Sequence, residues 1–311
     1  FITIFENELF KGKIGKYLSW GAFLIMGFSV LVNVAGFISG GGAAIHSALG
    51  LPVWVSQIIY YVLASLVVFF GLKAVGIFEK ISVFSMVAVI TVLFVAVMKG
   101  EKESYSFSFI APSNVMALYS MVAFALSAVM SVPQVVKGLK GDEKKIRGSI
   151  ALGTGVNIFL VVIIAFMTLI SCGTSISQDG ALVDLSRTLG GWVGAIGYIF
   201  SLLALSTSFW ANTLNLRDII GEKTGWSRRI SWAAASIPCL IISVLGLQGF
   251  VGFTRIAGVV QVITGLGVIV AYHFSRKREG KSPICGLFGT LPFQIIVVLG
   301  SLLSTVGSLL K

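Results

Sequence analysis

Acidic side chains are scarce in this chain. Twelve Asp and Glu occur among 311 residues. They fall between long apolar runs or at the ends of those runs, Glu79, Asp142, Asp179, Asp184 and Asp218 among them. A proton relay built on a membrane-embedded carboxylate therefore has no candidate. Histidine is rarer still: His46 belongs to a turn at one side and His273 to the end of a run at the other. With three cysteines at yet other depths, no metal constellation assembles. Cys172, Cys239 and Cys285 are also too far apart in depth to form a disulfide. A Ser-His-Asp hydrolase would need its three groups at one level, and they are not there. These absences argue against an enzyme and leave no cofactor or metal to expect beyond a coupling ion.

Apolar sequence is abundant instead. Hydrophobic residues make up 56% of the chain and charged residues 11%, with a mean hydropathy of +0.98. Crossing about 30 Å of hydrocarbon at about 1.5 Å per residue takes roughly 20 apolar residues. Nine runs qualify, near 18–39, 53–71, 81–98, 115–136, 149–171, 191–215, 230–247, 255–273 and 287–309. Backbone groups in lipid must pair within their own segment, and these runs are too long for barrel strands, so each is a helix. The expectation is an all-α polytopic helix bundle forming one transmembrane domain over 1–311. The connections are too short to hold a soluble domain.

The positive charge sorts by side. With the start of the chain cytoplasmic and the runs alternating, 18 of the 23 Lys and Arg lie on the inner side, leaving Lys99, Lys102, Arg187, Arg255 and Lys311 outside. The positive-inside rule then places the visible N-terminus in the cytoplasm and the C-terminus outside a cell membrane. A basic chain can bind nucleic acid, but no soluble basic face interleaved with aromatics exists here. The partners expected are a small solute and the lipid bilayer. Trp54 and Trp192 at one boundary, and Trp20, Trp226 and Trp232 at the other, read as interfacial anchors.

Some runs are built to fail as helices. In AFALSAVMSVPQVV, 123–136, Pro133 has no N–H for the carbonyl of Val129, and its ring crowds that turn at about 3 kcal/mol. Ser127 and Ser131, four apart, would offer hydroxyls on one face. This is either a kink closed by neighbouring helices or irregular backbone lining a cavity. Ser206, Thr207 and Ser208 are consecutive in another apolar run. Neighbours about 100° apart cannot all face one way, and their hydroxyls suit either a hard cation or close helix packing. Gly40, Gly41 and Gly42 are expected to end the first run and to permit a tight turn or close backbone approach. Gly153 with Asn157, and Gly190 with Gly194, read as helix contact faces.

Three stretches, in this order, resemble the amino acid/polyamine/organocation superfamily of transporters, and most closely its aromatic amino acid (tryptophan/tyrosine) permease branch. They are FISGGG at 37–42, FALSAVMSVPQVVKGLKGDEKKIRGSI at 124–150 and FSLLALSTSFWANTLNLRDII at 200–220. The resemblance runs over essentially the whole chain. It implies the five-plus-five inverted-repeat fold, with substrate held between unwound helices at the midplane. On that alignment the first run is the family's third helix, the family's first two helices are not in this sequence, and 115–136 is the broken sixth.

The resemblance implies a substrate site at Phe124, Ser127, Met130, Ser131 and Pro133, and a cation site at Thr207 and Ser208. The function implied is cation-coupled symport, with Na+ or H+, of a neutral or aromatic amino acid. The alternative within the superfamily is a non-transporting amino acid sensor. In the complete protein, Ser131→Ala and Thr207→Ala should each weaken uptake while membrane insertion persists, because each removes a hydroxyl and at most one methyl of apolar area. Normal uptake kinetics in both variants would sink the site assignment.

Overall fold

The computed structural model describes residues 2–10, 12–103, 112–127, 131–173, 175, 181–280 and 286–309. Every helix or strand among them is helical. In order they are α1 Ile2–Glu8, α2 Gly12–Leu49, α3 Val53–Phe70, α4 Leu72–Lys99, α5 Pro112–Ala125 and α6 Val132–Gly138, followed by α7 Glu143–Cys172, α8 Ala181–Leu189, α9 Gly191–Thr224, α10 Arg228–Val244, α11 Phe250–Glu279 and α12 Leu291–Leu309. Among the described residues, six helices are long and apolar enough to cross a membrane: α2, α3, α4, α7, α9 and α11. The protein is an all-α, multi-pass membrane protein.

Local chemistry explains several boundaries. Asp142 precedes α7 and accepts from the amide of Lys145 at 3.1 Å, filling one of the donors that a helix start leaves open. Ser227 does the same for α10 through the amide of Ile230 at 3.4 Å. Between α3 and α4 the chain turns at Gly71, whose φ of +89° suits a residue without a Cβ.

α2 is the spine. Its 38 residues span about 57 Å at 1.5 Å each, more than the hydrocarbon core requires. α3, α9, α10 and α11 all pack against it, burying Val34, Ile38, Tyr60, Val68, Phe209 and Leu214 in one core. A second core joins α4, α7, α8 and α9 through Leu93, Met167, Leu185 and Val193. α8 is a short amphipathic helix outside the nine apolar runs, and it seats Leu185 in that core. Elsewhere Leu24, Phe84 and Leu152 point outward, the surface that lipid chains cover.

The glycine triplet does not end α2, which continues through it to Leu49. Its role is close approach. A Cβ on Gly41 would stand 2.4 Å from the Tyr60 ring, and one on Gly42 would stand 2.9 Å from the Gln57 Cα. The helix carries the glycines because α3 crosses against their bare backbone, as small residues allow in membranes. Gly153 has open space around it, and Gly190 is a positive-φ joint before α9, so neither is a contact face. Gly194 does meet Ser186 of α8. His46 lies in the last turn of α2, with Nδ1 2.6 Å from the Leu51 carbonyl.

Most Lys- and Arg-bearing connections gather at one end, called here the basic end. There α1 is tied down by side chains. Glu6 accepts from Lys223 at 2.5 Å and from Ser19, Glu8 accepts from Arg278 at 2.9 Å, and Phe5 is buried against Met26, Ile219 and Ala271. The Lys223 hydrogen bond, with that of Ser19, holds the Glu6 carboxyl below the usual carboxylate range. Trp20 lies 5.0 Å beneath the Lys223 ammonium. Trp232, expected at an interface, packs inward instead, edge-on to Phe69 and donating to the Ser65 carbonyl at 3.2 Å.

One substitution made at two glycines separates contact from propensity. Gly42→Ala should destabilise the bundle by about 1–3 kcal/mol, because the added carbon meets backbone. Gly153→Ala should be neutral or stabilising by up to about 1 kcal/mol. Thermal unfolding in detergent compares them, and equal effects would refute the close-approach account.

Candidate functional site

The run at 115–136 is interrupted, not merely kinked. α5 ends at Ala125 and α6 begins at Val132. Pro133 occupies the first turn of α6, where a missing N–H goes unused and the fixed φ suits a helix start. Proline therefore opens the second piece rather than breaking the first. Ser131 precedes α6 without a side-chain capping bond, and Ser127 lies past the end of α5. Ser127 lies outside α5 and Ser131 outside α6, so the two serines share no α-helical face. Met130 lies outside the described residues.

An interrupted helix leaves carbonyls at the first end and amides at the second without partners. Neighbouring carboxamides hold both pieces. Asn157, in the middle of α7, donates Nδ2 to the Ala125 carbonyl at 2.9 Å, pairing the last carbonyl of α5. Gln134 of α6 donates Nε2 to the Ala211 carbonyl of α9 at 2.7 Å. The Phe124 ring lies over Gly258 of α11, close enough that a Cβ there would touch it at 3.4 Å.

α9 brings the hydroxyl-bearing stretch to the same region. Ala211, held by Gln134, is three residues beyond Ser208, so the broken segment and the Ser206–Ser208 stretch lie side by side. Thr207 donates Oγ1 to the Ala204 carbonyl at 2.9 Å, while the Ser208 carbonyl accepts from Asn212 at 2.8 Å. Thr207 and Ser208 are both partly buried. Across from them on α2, Asn33 donates Nδ2 to Asn212 Oδ1 at 3.5 Å, and Ser29, one turn away, donates to the Ala257 carbonyl of α11 at 3.0 Å. Four helices thus meet around one polar seam.

A charge network lies toward the basic end. Asp218 of α9 accepts from Arg217 at 2.7 Å and from Lys137 of α6 at 3.2 Å. Arg217 is buried and also reaches the Val68 carbonyl at 3.4 Å, joining the α3–α4 corner to α9. Beside it opens a cleft of about 310 Å³ lined by Lys137, Asp218, Glu222, Trp226 and Arg228 among others. A larger, mostly apolar cleft of about 540 Å³ lies at the opposite end between α2 and α9. Neither is lined by a residue of the break.

Residues 112–125 and 132–138 are thus two short helices, bonded to α7 through Asn157 and to α9 through Gln134. The tryptophan/tyrosine permease family matches this chain over residues 2–306. The chain belongs to that family. It is accordingly an amino acid transporter of the membrane and not an enzyme. No curated individual protein matches it.

Sequence reasoning placed weight on the permease's hydroxyls and proline and passed over its carboxamides. Gln134, Asn33 and Asn212 received no role, and Asn157 was read only as a contact. The signal was available, because each lies in an apolar run where a polar side chain is expensive and needs a partner.

These contacts differ in weight. Asn157→Leu strands the Ala125 carbonyl and should cost this permease about 1–3 kcal/mol. Lys137→Met breaks an ion pair whose side chains are 66% and 39% exposed, and should change stability by less than about 1 kcal/mol. Thermal unfolding of the two variants in detergent tests the ranking. A larger loss from Lys137→Met would overturn it.

Proposed function

We propose that the protein is a secondary active symporter that carries a neutral aromatic amino acid across the cytoplasmic membrane by alternating access. The observation that supports this best is the interruption between Ala125 and Val132, with Asn157 and Gln134 holding its two pieces. Half-helix ends at mid-bilayer direct carbonyls toward an ammonium and amides toward a carboxylate. Phe124, Ser127, Met130, Ser131 and Pro133 form this half of the site, and Thr207 and Ser208 serve the coupling cation, Na+ or H+. No ionised side chain at the break opposes a neutral substrate side chain. The family's name supports tryptophan or tyrosine as the solute.

The same reading takes the bundle as a five-plus-five inverted repeat, with α2 as the third helix and α5–α6 as the sixth. The charge asymmetry supports a cytoplasmic basic end, where the Lys137–Asp218 pair lies between α6 and α9.

The deciding experiment is uptake of labelled tryptophan and tyrosine into proteoliposomes containing the full-length protein, with sodium and proton gradients imposed separately. Accumulation driven by one gradient is expected and names the ion. Saturable binding without flux under either gradient would replace this reading with the sensor.

A further inference from the structure

The seam where α2 faces α9 carries an acceptor with no donor. Asn33 is 7% exposed, sits near the middle of α2, and its Oδ1 is enclosed and unpaired among the described residues. The orientation of its amide follows from its neighbour. Asn212 turns Nδ2 toward the Ser208 carbonyl, to which it donates at 2.8 Å, and this places its Oδ1 on the side of Asn33. Asn33 must therefore present Nδ2 to it, as observed at 3.5 Å, and Oδ1 is the atom left over. Ser29, one turn away, is no substitute, since its hydroxyl already donates to the Ala257 carbonyl at 3.0 Å.

A buried amide oxygen without a donor is unfavourable at this depth, which points to a donor that arrives from elsewhere. A neutral carboxamide oxygen suits a single neutral N–H or O–H better than an ammonium, whose three donors and full charge would be poorly served by one acceptor. Aromatic side chains of α5 and α11 lie near the seam. Gly36, on the next turn of α2, meets the Phe253 β-carbon, since a Cβ there would be 3.0 Å from it. Phe124 lies over Gly258 on the same helix, α11. Toward the break, the seam continues through Asn212 and Ala211 to Gln134.

Resting on the transport reading above, we infer that Asn33 is a specificity-determining residue whose Oδ1 accepts the ring N–H or O–H of an aromatic amino acid. The acceptor is closed in this structure, so the ring reaches it when the bundle opens. A site built to accept a ring donor rejects a same-shaped ring without one, because the acceptor then stays buried and unpaired.

The test compares labelled tryptophan with 3-benzothienylalanine, in which sulfur replaces the indole N–H, in proteoliposomes of the full-length protein. The wild type should favour tryptophan by at least about tenfold in uptake kcat/KM. Asn33→Leu should bring the two within about twofold, mainly by lowering tryptophan uptake. A wild-type ratio near one overturns the assignment without any variant. A ratio that persists in Asn33→Leu overturns it as well. A wild type that takes up tyrosine alone is tested in the same way against phenylalanine, and failure of the underlying transport reading is distinguishable because neither tryptophan nor tyrosine would then accumulate.

Discussion

Hydrocarbon does not hydrogen-bond, and that constraint organises this protein. A straight helix meets it internally, one carbonyl to one amide four residues on. A helix that stops in mid-span cannot, and α5 stops at Ala125. Its end survives because Asn157 supplies the missing donor and because Gln134 fastens the next piece to α9. The interruption is therefore a joint property of α5, α6, α7 and α9. Removing the supports leaves polar backbone with neither water nor protein to pair it.

The same constraint sets the packing. Lipid tails are as apolar as leucine, so helices associate through close contact and a few polar bonds rather than through exclusion of water. The bare backbone at Gly41 and Gly42 lets α3 lie directly on α2. Polar bonds then stitch the bundle at several depths: Trp210 to the Ala64 carbonyl at 3.0 Å, Tyr61 to Ser236 at 3.1 Å, and Arg217 to the α3–α4 corner. At the basic end water is nearby, and ion pairs such as Lys137–Asp218 can open and close at small cost. Close packing around α2 thus contrasts with the exposed ion pair that ties α6 to α9.

Polar groups in such a bundle therefore have two kinds of work. Some, such as Asn157 and Gln134, donate to backbone carbonyls and hold them. One left incomplete, such as Asn33, has capacity for a visitor. The distinction lies in hydrogen bonding and not in residue type, since all three are carboxamides.

Composition and hydropathy alone determined that the chain is an all-α, multi-pass membrane protein, because apolar runs of this length have one way to pair their backbone in lipid. Pro133 and its serines also marked where a helix fails, and three short motifs pointed to the permease family. What the sequence could not determine was the manner of failure. Proline is equally at home kinking a helix or starting one, and only the positions of Asn157 and Ala211 in other helices made the break a full stop. Gly40 to Gly42 read as an ending for a similar reason: glycine permits both a turn and a close contact, and the choice belonged to Tyr60 and Gln57 on α3. The Asn33–Asn212 pair was beyond sequence reasoning altogether, since 179 residues separate its members and only the packing of α2 against α9 sets them face to face.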